Sequence, residues 1–323
     1  MDLAPVGIDV SKAFRDVGLL EGARARHYRD GNDAAGHAAI AAGLAERGAF
    51  PAHICLEATG AYGFDFARAM IVAGHRVSVV NPAQIKAFGR SELLRTKTDK
   101  VDAALIARFC RAMKPQPWIP PREAVLILRG MVRRCAALKE MRTQEINRMK
   151  AGSTSQAATA SLERSIAFLD GEIVAISEEI AGHIRDDAEL ARQNALLRSI
   201  PGLGDRAAAI LLGELPDLRE FASAKQLAAF VGIAPGEYSS GANQAKSGHI
   251  TRVGNPMVRS AMVLCALSAR RYNPNARTFA DRLAAKGKPP KVVLVAVAKK
   301  LLVQAHAVLK HGTPFRPDAE IEA

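Results

Sequence analysis

The sequence predicts an α/β domain over residues 1–112, a helical coiled-coil connector over 113–195 and a mostly α-helical domain over 196–323. Three observations carry this. Strand-length apolar runs alternate with helical periodicity until a Pro-rich break at Lys114–Arg122. Two long stretches then repeat apolar residues at three- and four-residue intervals. The remainder is helical apart from one stretch, Ala234–Pro256, without any period.

In the first part, Val6-Gly-Ile-Asp-Val10 reads as a strand, the alternation through Val17 and Leu19 as its hairpin partner, and Ala25–Tyr28 as a third strand. A helix over Asp33–Arg47 follows, with Asp33 as cap. The run His53–Glu57 is a fourth strand, Ala61–Ala73 a helix closed by Gly74, and Arg76–Asn81 a fifth strand. Pro82 opens a short helix. A further helix, capped by Thr98, starts at Asp99 and runs to Arg111.

The formal charge of the 323 residues is +13, which points to a polyanionic partner, because Lys and Arg neutralising phosphate supply most non-specific nucleic-acid affinity. No apolar run is read as reaching the ~18 to 20 residues of a membrane span, and the N-terminus lacks the basic start of a signal peptide. A cytoplasmic protein without a membrane partner is expected. Cys55, Cys110, Cys135 and Cys265 are far apart in sequence with no C-x-x-C pair, so neither a zinc site nor a disulfide framework is expected. Aromatic residues are 5% of the chain, too few for a surface built chiefly of base-stacking rings.

The acids carry the chemistry. Asp99 and Asp102, three apart at a helix start, share one face. Such a pair is either an acidic first turn favoured by the helix dipole or part of a divalent-metal site, and Arg95, Lys97 and Lys100 around it suit a phosphate. Asp9 lies within the first strand and Glu57 at the carboxyl end of the fourth, where open sheets bind ligands.

The element order resembles the ribonuclease H-like fold of the RuvC type. The segments Gly7-Ile-Asp9-Val-Ser-Lys12, Leu56-Glu57-Ala-Thr-Gly60 and Thr96-Lys-Thr-Asp99-Lys-Val-Asp102-Ala resemble the D, E, D, D signature of the insertion-sequence transposases and recombinases that join a RuvC-like domain to a C-terminal serine-containing domain, the bridge-RNA-guided recombinases. The resemblance implies Asp9, Glu57, Asp99 and Asp102 as catalytic metal ligands. Four carboxylates on converging elements suit two Mg²⁺ (or Mn²⁺) ions ~3.5 to 4 Å apart, flanking a phosphoryl displacement. Lys12 and Lys97 are candidate phosphate contacts, with solvated surface lysines as the alternative.

In the connector, Val125, Leu128, Val132 and Cys135, and then Leu162, Ile166, Leu169, Ile173, Ile176 and Ile180, mark two long helices around a small polar loop at 151–160. They are expected to fold back on each other or to pair with another subunit. The resemblance implies a coiled coil that helps assemble a homo-oligomer, a dimer or tetramer.

In the last part, Leu196–Asp205 and the Ala-rich helix after it have the shape of a helix-hairpin-helix, with Gly202 and Gly204 as candidate nucleic-acid contacts and Asp205 opposing them. Phe221–Gly232 reads as a helix, and Met257–Leu309 as two or three helices dense in Arg and Lys. The aperiodic stretch carries Lys246, His249 and Arg252, again candidate nucleic-acid contacts. It resembles the family's motif holding a serine nucleophile, which makes Ser240, beside Gly241, the candidate, with Ser239 as the alternative. The resemblance implies a transposase/recombinase that cuts and rejoins donor and target DNA, with a structured guide RNA as partner. A RuvC-like junction nuclease and a non-catalytic nucleic-acid-binding protein are the alternatives.

Overall fold

The computed structural model describes residues 3–22, 24–58, 61–93, 98–152, 155–234, 250 and 254–317. The chain divides into two compact units, Met1–Pro120 and Pro121–Ala323.

The first unit is a five-stranded mixed sheet with helices on both faces. Strands β1 (Ala4–Val10), β2 (Phe14–Glu21) and β3 (Arg24–Gly31) form an antiparallel meander, and β4 (Ala52–Glu57) and β5 (Arg76–Val80) add in parallel to β1, giving the order β3-β2-β1-β4-β5. Alternation sorts the side chains between faces. Val6, Ile8, Val17, Leu19, Ile54, Leu56 and Val77 form a core with Ile40 and Leu44 of α1 (Ala34–Glu46) and Phe66 and Met70 of α2 (Ala61–Val72). Burying each such Leu or Ile contributes about 1.5–3 kcal/mol. Helix α1 starts where Asp33 caps it, the Gly36 N–H donating to Asp33 Oδ1 at 2.8 Å.

The opposite face is covered by α3 (Pro82–Ser91) and α4 (Asp99–Met113), whose Ile85, Leu105, Ile106, Phe109 and Cys110 pack on Cys55 and Val80. Helix α4 lies very close to the sheet because Gly7 and Gly18, paired across β1 and β2, have no side chain there. A Cβ on Gly7 would stand 2.2 Å from Ala103 O and Ala107 N, and one on Gly18 2.8 Å from Ala103 O.

Among its described residues the second unit is helical apart from short connections and a single bridge residue, Ile250. α5 (Glu123–Ala151) and α6 (Gln156–Asp186) fold back on each other as an antiparallel pair. Its register is marked by His183 Nε2–H donating to Ala124 O at 2.7 Å, Cys135 Sγ 3.9 Å from Ser177 Oγ, and Arg142 Nη2 donating to Asp170 Oδ2 at 3.2 Å. α7 (Ala188–Arg198), α8 (Asp205–Glu214), α9 (Ala224–Val231), α10 (Pro256–Tyr272), α11 (Pro274–Ala285) and α12 (Pro290–His311) surround one core containing Leu197, Leu211, Leu227, Met262, Val297 and Leu301. The base of the helical pair joins that body through Arg133 Nε to Glu214 Oε1, 2.6 Å. The helix expected over Phe221–Gly232 starts later, at Ala224, because Ser223 caps it by accepting from Gln226 N at 3.2 Å.

The expectation that no apolar run reaches membrane-spanning length needs correcting at α12. Its best 18-residue window has a mean hydropathy of 1.8, enough to span by length and composition, although 56% of it is buried inside the protein. Val293, Val297, Leu301, Leu302, Ala305 and Leu309 lie in the helical core, and that burial accounts for its composition.

Candidate metal centre

Strand alternation puts Gly7 and Asp9 on the α4 face of β1, with Ile8 on the other. The pair Ile8–Leu56 in the β1–β4 register places Glu57, the last residue of β4, one step on, beside Asp9. Helix α4 runs antiparallel to these strands, since Ala103 and Ala107 lie on Gly7 while Cys110 Sγ–H, further along, donates to His53 O at 3.3 Å. The two residues from Gly7 to Asp9 advance about 6.6 Å, and about four residues of helix cover the same distance. The first turn of α4 is thereby level with Asp9. Thr98 fixes that start as expected, its Oγ1 accepting from Val101 N at 3.3 Å.

The fold thus brings Asp9, Glu57, Asp99 and Asp102 to one end of the sheet. Burial, and then the charges of Asp102, Asp99 and Asp16, push the Asp9 carboxyl above its ordinary value. Among the described residues, the three-donor group whose ligand atoms all lie within 4.8 Å of one another is His53, Cys55 and Cys110 rather than the acids. The acids stand further apart, and Asp99 is engaged by Arg29 Nη2 at 2.9 Å.

Sequence reading missed Asp16, His27 and Arg29. Asp16 opposes Asp9 directly across the β1–β2 ladder, a placement that costs energy for like charges. It is nearly buried, and His27 Nε2 at 2.7 Å and Arg29 Nη2 at 2.9 Å satisfy it. The same Arg29 nitrogen reaches both Asp16 and Asp99, so one guanidinium links β2, β3 and α4. The available signal was a charged pair, Arg15-Asp16, inside an otherwise apolar strand.

With four oxygen-donor side chains on converging elements and an acid raised by burial and then by neighbouring acids, the set has the chemistry that suits a hard divalent cation. A family model described as Transposase, of the DEDD type of IS110, matches residues 6–152, and one described as Transposase IS116/IS110/IS902 family matches residues 194–281. The pilin gene-inverting protein of Moraxella lacunata is 34% identical over 265 residues, 81% of this chain and 81% of that protein. Its counterpart in Moraxella bovis is 33% identical over the same shares, 81% and 81%. The transposase for insertion sequence element IS1328 of Yersinia enterocolitica is 25% identical over 299 residues, 82% of this chain and 86% of that protein.

The chain belongs to the IS110/IS116 transposase family. This makes it a DNA transposase/recombinase with a DEDD domain of the ribonuclease H-like class, and a domain of that kind implies dependence on a divalent metal.

The remaining predicted site residues of this transposase are placed as follows. Lys12 is exposed in the turn after β1, which is pinned by Asn32 Nδ2 donating to Ser11 O at 3.2 Å and Lys12 O at 3.1 Å. Buried Arg15 braces the same turn, Nη1 donating to Ser11 O at 2.6 Å, and burial lowers its pKa to about 10. Gly202 has φ +103° and lies against α10, where a Cβ would meet that of Ala269 at 2.7 Å. Packing therefore accounts for this glycine. Gly204 is exposed, caps α8 and faces open space, next to the ion pair of Arg198 with Asp205 at 2.9 Å. Lys97, Ser239, Ser240, Lys246, His249 and Arg252 lie outside the described residues.

The stretch bearing the candidate serine is held at both ends. Gly232, in the left-handed region at φ +75°, caps α9. Asn255 caps α10 by accepting from Met257 N at 3.0 Å and Val258 N at 3.1 Å, and its Nδ2 donates to buried Glu214 at 2.7 Å. At Gly254 a Cβ would stand 2.3 Å from Phe230 O.

Proposed function

We propose that this transposase cuts and rejoins donor and target DNA with a divalent-metal acidic centre and a serine nucleophile, guided by a structured RNA and acting as a dimer or tetramer. The observation that carries the reading is the delivery of Asp99 and Asp102, on the first turn of α4, to the strand ends bearing Asp9 and Glu57, with Asp9 raised by burial and then by those charges. Asp9, Glu57, Asp99 and Asp102 would hold the metal. When bound, it supplies Lewis-acid stabilisation of charge on the oxygens of a phosphoryl transfer.

The protein's own residues do the rest. Asp9 and Glu57 offer carboxylate oxygens from rigid strands. Asp99 and Asp102 offer theirs from a capped helix end. Arg29 holds Asp16 and Asp99 in place by its two ion pairs. Ser240 attacks a backbone phosphorus, forming a Ser–O–P bond and releasing a sugar hydroxyl. Rejoining reverses this with a second strand's hydroxyl. Lys12, Lys97, Gly204, Lys246, His249 and Arg252 contact phosphates, and so does the Gly202 turn as a whole. The charge of +13 suits binding through the phosphate backbone, the mode expected where base pairing with a guide reads the sequence.

The test is to denature the protein during reaction on labelled DNA and look for a covalent adduct. An adduct that forms with the native chain and with Ser239→Ala, and is lost in Ser240→Ala, supports the reading. Free nicked ends without an adduct favour a metal-dependent nuclease, and neither product favours a binding protein. Copurification of one RNA from the native locus tests the guide.

A further inference from the structure

The strongest unexplained cluster lies on the α4 face of the sheet, on the same strand and helix as the acids but different from them in chemistry. His53 and Cys55, two apart on β4, point to the same side, and α4 brings Cys110 over them. All three are buried: His53 is 6% exposed, Cys55 0% and Cys110 1%. One nitrogen and two sulfur ligand atoms lie within 4.8 Å of one another. On β5, opposite Cys55 in register, Ser78 adds an oxygen, its Oγ 2.9 Å from His53 Nε2.

We infer that His53, Cys55 and Cys110 form a buried structural site for a thiophilic metal ion, Zn²⁺ foremost, with Ser78 Oγ at the fourth position. Tetrahedral zinc with sulfur at about 2.3 Å and nitrogen at about 2.0 Å needs ligand atoms about 3.5–3.8 Å apart, so these donors are within a small inward adjustment. Charge supports the assignment as well. Two thiolates, a neutral imidazole and Zn²⁺ sum to zero, and a neutral centre is what an apolar pocket of Val80, Ile85, Leu105, Ile106 and Phe109 tolerates. Binding releases two thiol protons, and the imidazole proton resides on Nδ1 so that Nε2 ligates. The Ser78 hydroxyl keeps its own proton partners in Pro115 O at 3.0 Å and Gln116 O at 2.8 Å. Hard carboxylates prefer Mg²⁺ or Mn²⁺ and soft thiolates prefer Zn²⁺, so the two sites differ in the ion each favours. The ion would join β4 to α4, the helix whose first turn carries Asp99 and Asp102.

The expectation that the spacing of the cysteines argues against zinc concerned sequence distance only. The fold closes the separation of 55 positions from Cys55 to Cys110.

The experiment uses the full chain carrying Cys135→Ala and Cys265→Ala, reduced and free of air, titrated with Co²⁺ and then Zn²⁺. One equivalent of Co²⁺ is expected to give a thiolate-to-cobalt charge-transfer band and tetrahedral visible bands, both erased by Zn²⁺. Cobalt on the acids has oxygen ligands and gives no thiolate band, so Asp9→Asn leaves the signal intact. Cys110→Ala is expected to abolish the band and to weaken zinc affinity more than about 100-fold. Should that variant fail to fold by circular dichroism, His53→Gln provides the same readout, with a weakened and shifted spectrum expected. Absence of a thiolate band in the parent, its survival in Cys110→Ala, or an unchanged spectrum in His53→Gln would overturn the site. So would a Cys55–Cys110 disulfide, seen as a mass two hydrogens lower, forming when the Zn²⁺-treated protein is then exposed to dissolved oxygen as the oxidant.

Discussion

Asp9 shows how a single carboxylate can oppose stability and support chemistry at once. Burial and three neighbouring acids raise its pKa, so the fold binds its proton more tightly than the unfolded chain does. The stability this lends is complete below the ordinary carboxylate range and is lost as pH rises through the raised value. Ionised Asp9 is therefore a cost at neutral pH when no cation is supplied. Asp9→Asn, which does not ionise, should melt higher than the native chain in chelator at neutral pH and flatten that part of the pH–stability profile. Strand cleavage should fall by about 100-fold or more, because a charge-stabilising ligand is gone. Lower melting of the variant in chelator would contradict the electrostatic account. At this scale a motif resemblance singled out the four acids as candidates, but not the residues that pair with them. Asp16 meets Asp9, and Arg29 meets Asp16 and Asp99, only through strand register and a helix packed from afar.

Helix α4 is the element on which the first unit turns. Its start and its Thr98 cap were readable from local chemistry, as were the Asp33 cap of α1 and the Pro82 start of α3, while the end of α4 falls at Met113, two residues past the expected Arg111. Its height above the sheet was not, because that height is set by Gly7 and Gly18, whose missing side chains matter only once Ala103 is known to lie on them. Gly7→Ala should cost about 2–3 kcal/mol by chemical denaturation, since backbone must move to admit the methyl group. Cleavage should drop with it, as Asp99 and Asp102 move with the helix. Unchanged stability would mean that the helix does not sit as closely as the geometry has it. The proximity of His53, Cys55 and Cys110 was hidden for the same reason: cysteine spacing describes local motifs and is silent on pairing between a strand and a distant helix.

Across the whole molecule, composition announced a polyanion partner, and periodicity announced the long pair α5–α6. Neither revealed that α12 owes its apolar length to burial in the helical core. The candidate serine is the reverse case, since only a family resemblance picks it out. What the fold adds is the treatment of the chain on either side of it. Gly254 presses against the carbonyl of Phe230, and Arg259 Nη1 donates to Val231 O at 2.9 Å, so the descending and ascending chain meet at one point. Replacing residues 236–252 with a short Gly/Ser linker should leave the melting temperature of the second unit unchanged and remove the DNA adduct. A large drop in melting would show instead that the stretch supports the fold. Two described segments that close on each other, Phe230–Val231 and Gly254–Arg259, give the body a junction that stands without help from the residues between them.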